Sequence, residues 1–186
     1  MNRGARMSRA REDPKGLRTH VSMEIAHLNC IRRLVPVKGS ILEYGSGFST
    51  TWLRNQADPS VTIISVDHNN RYASKTGAIL STYRPADVTP EAEELLGEGW
   101  EDYVYAPFRH DVVPEGTLFD VVVVDGLLRN ACLKHINELV QPDGWVVLHD
   151  AEQSVYEEGM ASIQWLAAAL PHPDGRGRQL LIGKPL

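Results

Sequence analysis

Ile25, Leu28, Ile31 and Val35 recur every three or four residues and stop at Pro36, which is the spacing of one apolar stripe on a helix. Ser22, two residues before Glu24, suits the start of that helix. The period then changes. From Ser40 the chain reads SILEY, then Gly-Ser-Gly, then a short helix that Ser49 is placed to cap and Trp52 and Leu53 to anchor. Val61 to His68 (VTIISVDH) is apolar and β-branched almost throughout, as a parallel strand covered on both faces must be. A helix is expected from Arg71 to Tyr83, a third strand from Asp102 to Phe108, and a fourth over FDVVVVDG, Phe119 to Gly126. An amphipathic helix carrying Ala131, Cys132, Leu133, Ile136, Leu139 and Val140 follows, ended by a Pro142-Asp143-Gly144 turn. Trp145 to Asp150 reads as a fifth strand, Met160 to Leu170 as a helix, and Arg178 to Gly183 as a last strand at or near a sheet edge.

Strands that alternate with helices predict an α/β fold: a doubly wound, mostly parallel Rossmann-like sheet with helices on both faces, in one domain. In such a sheet, ligands bind outside the carboxyl ends of the strands. Those ends are Glu43 to Gly47, Asp67, the Ala106-Pro107 corner, Asp125-Gly126 and His149-Asp150. Acids scattered at random would not repeatedly close apolar strands, so the convergence itself marks the site.

Composition adds boundaries. Residues 1–20 form a basic arm (Arg3, Arg6, Arg9, Arg11, Lys15, Arg18), residues 21–186 the domain, and residues 84–102 an acidic surface excursion with Asp87, Glu91, Glu93, Glu94, Glu98, Glu101 and Asp102. The net charge of −5 and the acidic excursion count against a nucleic-acid partner, whose phosphates want a basic rim. No apolar run approaches the roughly 20 residues that span a bilayer, and the arginine-rich start has no apolar signal core behind it. The expectation is a cytoplasmic protein. Cys30 and Cys132 fall inside predicted helices and read as buried, reduced thiols. With no separate substrate domain, the arm and the excursion are expected to form the rim of the site, joined by a second subunit if the protein is a homodimer.

The glycine turn narrows the ligand. Gly45 and Gly47 let the backbone turn sharply and approach a ligand closely, with amides near the helix start open to an anion. A P-loop is excluded because no Gly-Lys-Ser/Thr follows, and the dinucleotide fingerprint wants a third glycine where Thr50 stands. Glu43, two residues before the first glycine, would repel a pyrophosphate yet accept hydrogen bonds from a cationic amino acid group. Asp67 follows Gly47 by the roughly 20 residues expected of a ribose-binding acid.

Here ILEYGSGFST resembles the first motif of the class I S-adenosylmethionine-dependent methyltransferases, and ISVDH their second strand. DVVVVDG and GWVVLHDAE resemble the fourth and fifth strands, so the likeness runs from Ser40 to Glu152. It implies S-adenosyl-L-methionine as cofactor, with Glu43, Gly45, Ser46 and Gly47 at the methionine end, Asp67 at the ribose with His68 beside it, and adenine near Ala106 and Pro107. It implies methyl transfer to a hydroxyl or amine of a small molecule. The fourth strand ends in Val-Asp-Gly rather than the Asn/Asp-Pro-Pro-aromatic motif of enzymes that methylate bases and protein amides. Asp125, His149 and Asp150 are the candidate proton acceptors. Asp125 and Asp150 also resemble the acids by which metal-dependent small-molecule O-methyltransferases hold a divalent ion, magnesium or manganese. The asparagine ligand of those enzymes is missing, because Ala151 follows Asp150; Glu152 next to it either substitutes or points away. A metal site, a metal-free site with His149 or Asp125 as base, and a structural pair stay open. So do an aminopropyltransferase-like enzyme on the same fold and a cofactor-binding module without turnover.

Overall fold

The computed structural model describes Met23 and residues 25–81, 99–151, 154–167 and 179–186. The basic arm and most of the acidic excursion lie outside the described residues, as do Ser22, Glu24 and Glu152. Helix α1 (Ile25–Leu34) leads into β1 (Ser40–Tyr44), α2 (Phe48–Gln56), β2 (Thr62–Asp67), α3 (Asn70–Thr76) and β3 (Ile79–Leu80). After the break come α4 (Trp100–Val104), α5 (Ala106–Arg109), β4 (Phe119–Val124), α6 (Arg129–Lys134) and β5 (Val140–His149). Helix α7 (Glu157–Met160), β6 (Ile163–Ala167) and β7 (Leu180–Pro185) close the chain.

These strands form one seven-stranded sheet in the order β3-β2-β1-β4-β5-β7-β6. β3 to β5 run parallel, and β7 and β6 are antiparallel additions at one side. Alternation along each strand divides the core. Ile41, Val121, Val123 and Val147 pack with Met23, Leu28 and Ile31 near α1 and Leu53 of α2. Leu42, Tyr44, Val122, Val124 and Leu148 pack on the other face with Tyr103 and Val104 of α4 and Ala131 to Leu133 of α6. Both faces are covered, which is why these strands are apolar nearly throughout. The doubly wound α/β sheet expected from the sequence is therefore present.

Five stretches differ from expectation. The helix begun near Arg71 stops at Thr76, because Gly77 takes a left-handed cap (φ +68°), and Ile79–Leu80 then pairs with Val66 and Asp67 as the third strand. Asp102 to Phe108, expected to be that strand, is two short helices, with Pro107 in the first turn of α5 where its missing N–H costs nothing. Helix α6 ends at Lys134; Ile136–Glu138 is a 3₁₀ turn, and Val140 already belongs to β5. The Pro142-Asp143-Gly144 stretch is a bulge inside that strand, since the ladder with β4 jumps from Phe119 opposite Val140 to Val121 opposite Trp145. Of the expected helix over Met160 to Leu170, residues 163–167 form the edge strand β6, and the last three lie outside the described residues. The final strand sits one place in from that edge. Cys132 is buried and Cys30 half-buried, both as free thiols.

Candidate functional site

The carboxyl ends of β2, β1, β4 and β5 carry a row of polar side chains on the face shared with α1 and α2. Glu43 is paired with Ser65 across β1 and β2 and is fully buried, at 0% exposure. Its oxygens accept hydrogen bonds from Ser49 Oγ (2.5 Å), Thr50 Oγ1 (2.6 Å) and Ser65 Oγ (2.7 Å). Burial raises its pKa above the usual carboxyl value, with the three hydroxyls acting in the opposite sense. These three contacts tie the first turn of α2 to β1 and β2 through Glu43. Ser49, expected as the helix cap, is turned inward to Glu43, and Gly47 stands at the cap position instead. The Gly47 N–H donates to Thr50 Oγ1 (3.0 Å), which in turn donates to Glu43.

The two glycines differ in kind. Gly45 has φ +87°, and a Cβ there would lie 2.8 Å from the Asp125 carbonyl oxygen and the Gly126 backbone. Gly47 is extended, and nothing lies within 4 Å of where its Cβ would be, so the turn opens on that side. Between them, Ser46 donates its N–H (2.7 Å) and its hydroxyl (2.8 Å) to one oxygen of Asp67. The other oxygen accepts the Asn69 N–H (2.7 Å), with His68 Nδ1 3.5 Å away. Asp67 is thus at the end of β2 beside the turn and only 3% exposed. Ala106 and Pro107 are both buried in the first turn of α5, which packs beside β2, and do not close a strand.

The second cluster joins the ends of β4 and β5. His149 Nδ1 lies 2.8 Å from Asp125 Oδ1 and 3.4 Å from Asp150 Oδ1. Its ring is wholly buried, edge-on to His27 at 5.6 Å, and its Nε2 has no hydrogen-bond partner among the described residues. Burial by itself would lower the pKa of His149, but the hydrogen bonds and charges of Asp125 and Asp150 outweigh it and push the pKa up to about 9. The ring is therefore an imidazolium at neutral pH. Asp150 sits in the left-handed region (φ +53°), a conformation that asparagine and aspartate tolerate better than most side chains. Arg129, 8% exposed, reaches into the same cluster. Its Nε donates to the Gly126 carbonyl (3.0 Å) and Nη1 to the His149 carbonyl, while Nη2 lies 3.4 Å from Asp125 Oδ1 and 3.6 Å from Asp150 Oδ2.

No family model and no curated protein matches this chain. Among solved structures, a methyltransferase-like protein from Silicibacter pomeroyi is 18% identical, covers 88% of each chain and superposes with a TM-score of 0.60. A TehB-like SAM-dependent methyltransferase from Corynebacterium glutamicum is 13% identical over 86% of each chain, with a TM-score of 0.52. The fold is that of the Rossmann-like methyltransferases. TrmN from Thermus thermophilus shares it at 13% identity and a TM-score of 0.59, with 90% of this chain matching 50% of that one. Identity this low carries the fold, and the chemistry has to be argued from the residues at the strand ends.

On this methyltransferase fold the expected positions fall into two groups. Glu43, Gly45, Ser46, Gly47, Asp67 and His68 surround one turn; Asp125, His149 and Asp150 form the other cluster, one oxygen or ring nitrogen from each lying within 4.8 Å of the others. Such a donor set suits a divalent ion only if its oxygens are free. Here two carboxylates already face two cations, the Arg129 guanidinium and the His149 imidazolium, so the expected metal does not fit the site as it stands. Arg129, Ser49, Thr50 and Ser65 were not anticipated from the sequence. Arg129 did leave a signal, since it stands four residues after Asp125, within reach in the manner of an ion pair on a helix. Ser49 and Thr50 left none, because serine and threonine near a helix start read first as caps, and Ser65 stands inside the run of a strand. Among the described residues no helix is long and apolar enough to cross a membrane.

Proposed function

We propose that this chain binds S-adenosylmethionine and transfers its methyl group to an amine or hydroxyl of a small molecule. The observation that carries the reading is the placing of Asp67: a buried carboxylate at the end of β2, held against a turn whose Gly47 is open on one side. A carboxylate there can accept from ribose hydroxyls, which would replace the Ser46 hydroxyl as donors. Gly45 and Gly47 give the methionine end room, Glu43 holds the turn from beneath, His68 flanks the ribose acid, and Ala106 and Pro107 wall the adenine side.

The cofactor supplies a methyl group already activated on a sulfonium, so the chain's task is alignment, which can contribute on the order of 7–11 kcal/mol. The acceptor's proton goes to a carboxylate. His149 is charged at neutral pH and cannot take it; Asp125, hydrogen-bonded to that imidazolium, is the acceptor we assign. A carboxylate suits an amine or an already acidic hydroxyl better than an alcohol.

Calorimetry with S-adenosylhomocysteine tests the first half. The wild type should bind it, Asp67→Ala should weaken binding at least tenfold, and NAD should bind more weakly than S-adenosylhomocysteine; tighter binding of NAD would end the methyltransferase reading. An acceptor screen with labelled S-adenosylmethionine tests the second half. Binding with no transfer to any acceptor would favour a module without turnover, and activity only with the decarboxylated cofactor would favour aminopropyl transfer.

A further inference from the structure

Two carboxylates on neighbouring strand ends, Asp125 and Asp150, make an oxygen donor pair of the kind that selects magnesium or manganese. What differs here is the side chain lying on both acids. The Arg129 guanidinium stands 3.4 Å from Asp125 Oδ1 and 3.6 Å from Asp150 Oδ2, and it is anchored on every side. Nε donates to the Gly126 carbonyl (3.0 Å), Nη1 to the His149 carbonyl, Nη2 to the Asp125 carbonyl (3.3 Å), and the face of the Tyr156 ring lies 5.1 Å away. The guanidinium therefore bridges the backbone of β4 and β5 as well as their acids. It is also the one side chain that keeps its charge under all ordinary conditions.

We infer that Arg129 is the built-in cation of this crevice, holding the Asp125 and Asp150 carboxylates that would otherwise hold a divalent ion. The guanidinium supplies fixed positive charge but, unlike a metal, offers no coordination position to a substrate oxygen and cannot acidify a bound hydroxyl. This deepens the methyl-transfer reading of the same crevice: the acceptor must bring its own nucleophilicity, as an amine or an already acidic hydroxyl does.

The test is manganese(II) binding to the full chain, followed by electron paramagnetic resonance and calorimetry without cofactor, so that it can fail separately from the methyltransferase reading. The wild type should show no saturable site. Arg129→Met should gain a single site, and Arg129→Met combined with Asp150→Asn should lose it. If Arg129→Met does not fold by itself, refolding with excess manganese(II) should restore it, because the ion would replace the missing charge. A wild-type site abolished by Asp150→Asn overturns the inference, as does an Arg129→Met protein that folds without binding manganese or one that manganese fails to rescue.

Discussion

Glu43, buried on β1, and Asp125, half-buried just past the end of the neighbouring β4, are acids stabilised in opposite ways. Around Glu43 the partners are neutral: three hydroxyls from α2 and β2, with no cation in hydrogen-bonding contact among the described residues. Around Asp125 the partners are charged: the His149 ring at 2.8 Å and the Arg129 guanidinium at 3.4 Å, with Asp150 as the second acid. Hydroxyl donors cost little to desolvate and fix geometry without creating a field. Charged partners bring a large desolvation penalty of their own, which only a balanced set offsets. The first region is thus built to hold a turn in shape, and the second to keep charge in place at the strand ends.

The largest expected difference between the two regions is in alkaline solution. His149 has its folded pKa raised to about 9 from the ordinary 6.5, so the folded state binds the proton more tightly. Its contribution is then fully present below about pH 6.5 and is lost as the pH rises through about 9, for roughly 3 kcal/mol in all. Denaturant titrations of the wild type should lose stability across that window. Asp125→Asn should flatten the loss and bring the His149 titration seen by NMR down toward its ordinary value, whereas Glu43→Gln should leave the window in place. An alkaline loss that survives Asp125→Asn would show that the field belongs elsewhere.

Glu43→Gln sharpens the comparison from the other side. The amide keeps the shape but turns one acceptor into a donor that faces hydroxyls now lacking a partner, which should cost about 1–3 kcal/mol. Calorimetric unfolding would measure it, and the cost should be the same at low and high salt because no ion pair is lost. A strong salt dependence would mean that Glu43 answers a cation after all.

The smallest effect belongs to Ser46→Ala. Removing the hydroxyl that donates to Asp67 should cost about 0.5–1.5 kcal/mol of stability while leaving Asp67 its two backbone N–H donors. On the proposed function, S-adenosylhomocysteine should then bind severalfold more tightly, since the ribose no longer competes for that oxygen. Unchanged affinity would detach Ser46 from ligand binding.

The central strands were legible because β-branched runs such as VTIIS and VVVV have no helical stripe, and the acids that end them marked the ligand end of the sheet. What the sequence concealed is where short apolar runs are ambiguous. Tyr103, Val104 and Ala106 sit close together in any conformation, and only their packing against β1 and β4 makes them helical. Ile163 and Trp165 read as part of a helix, yet they pair across β6 and β7 because β7 offers an open edge, a choice made far along the chain. The site was legible as positions and not as partnerships. Asp67 and Asp125 could be named from where strands end, but no local pattern tells that Asp67 is clasped by Ser46 or that Arg129 lies on Asp125.

Gly45 and Gly126 meet where β1 and β4 end, with no room for a Cβ on either: one at Gly126 would fall 2.1 Å from the Tyr103 hydroxyl and 2.6 Å from the Gly45 nitrogen. At that seam the surface is bare main chain, which presents the same amide and carbonyl chemistry whatever the surrounding sequence. On the proposed function, selectivity between rival acceptors cannot be retuned there by exchanging side chains. A campaign to redirect the proposed activity would have to diversify the borders of the crevice and leave that seam alone.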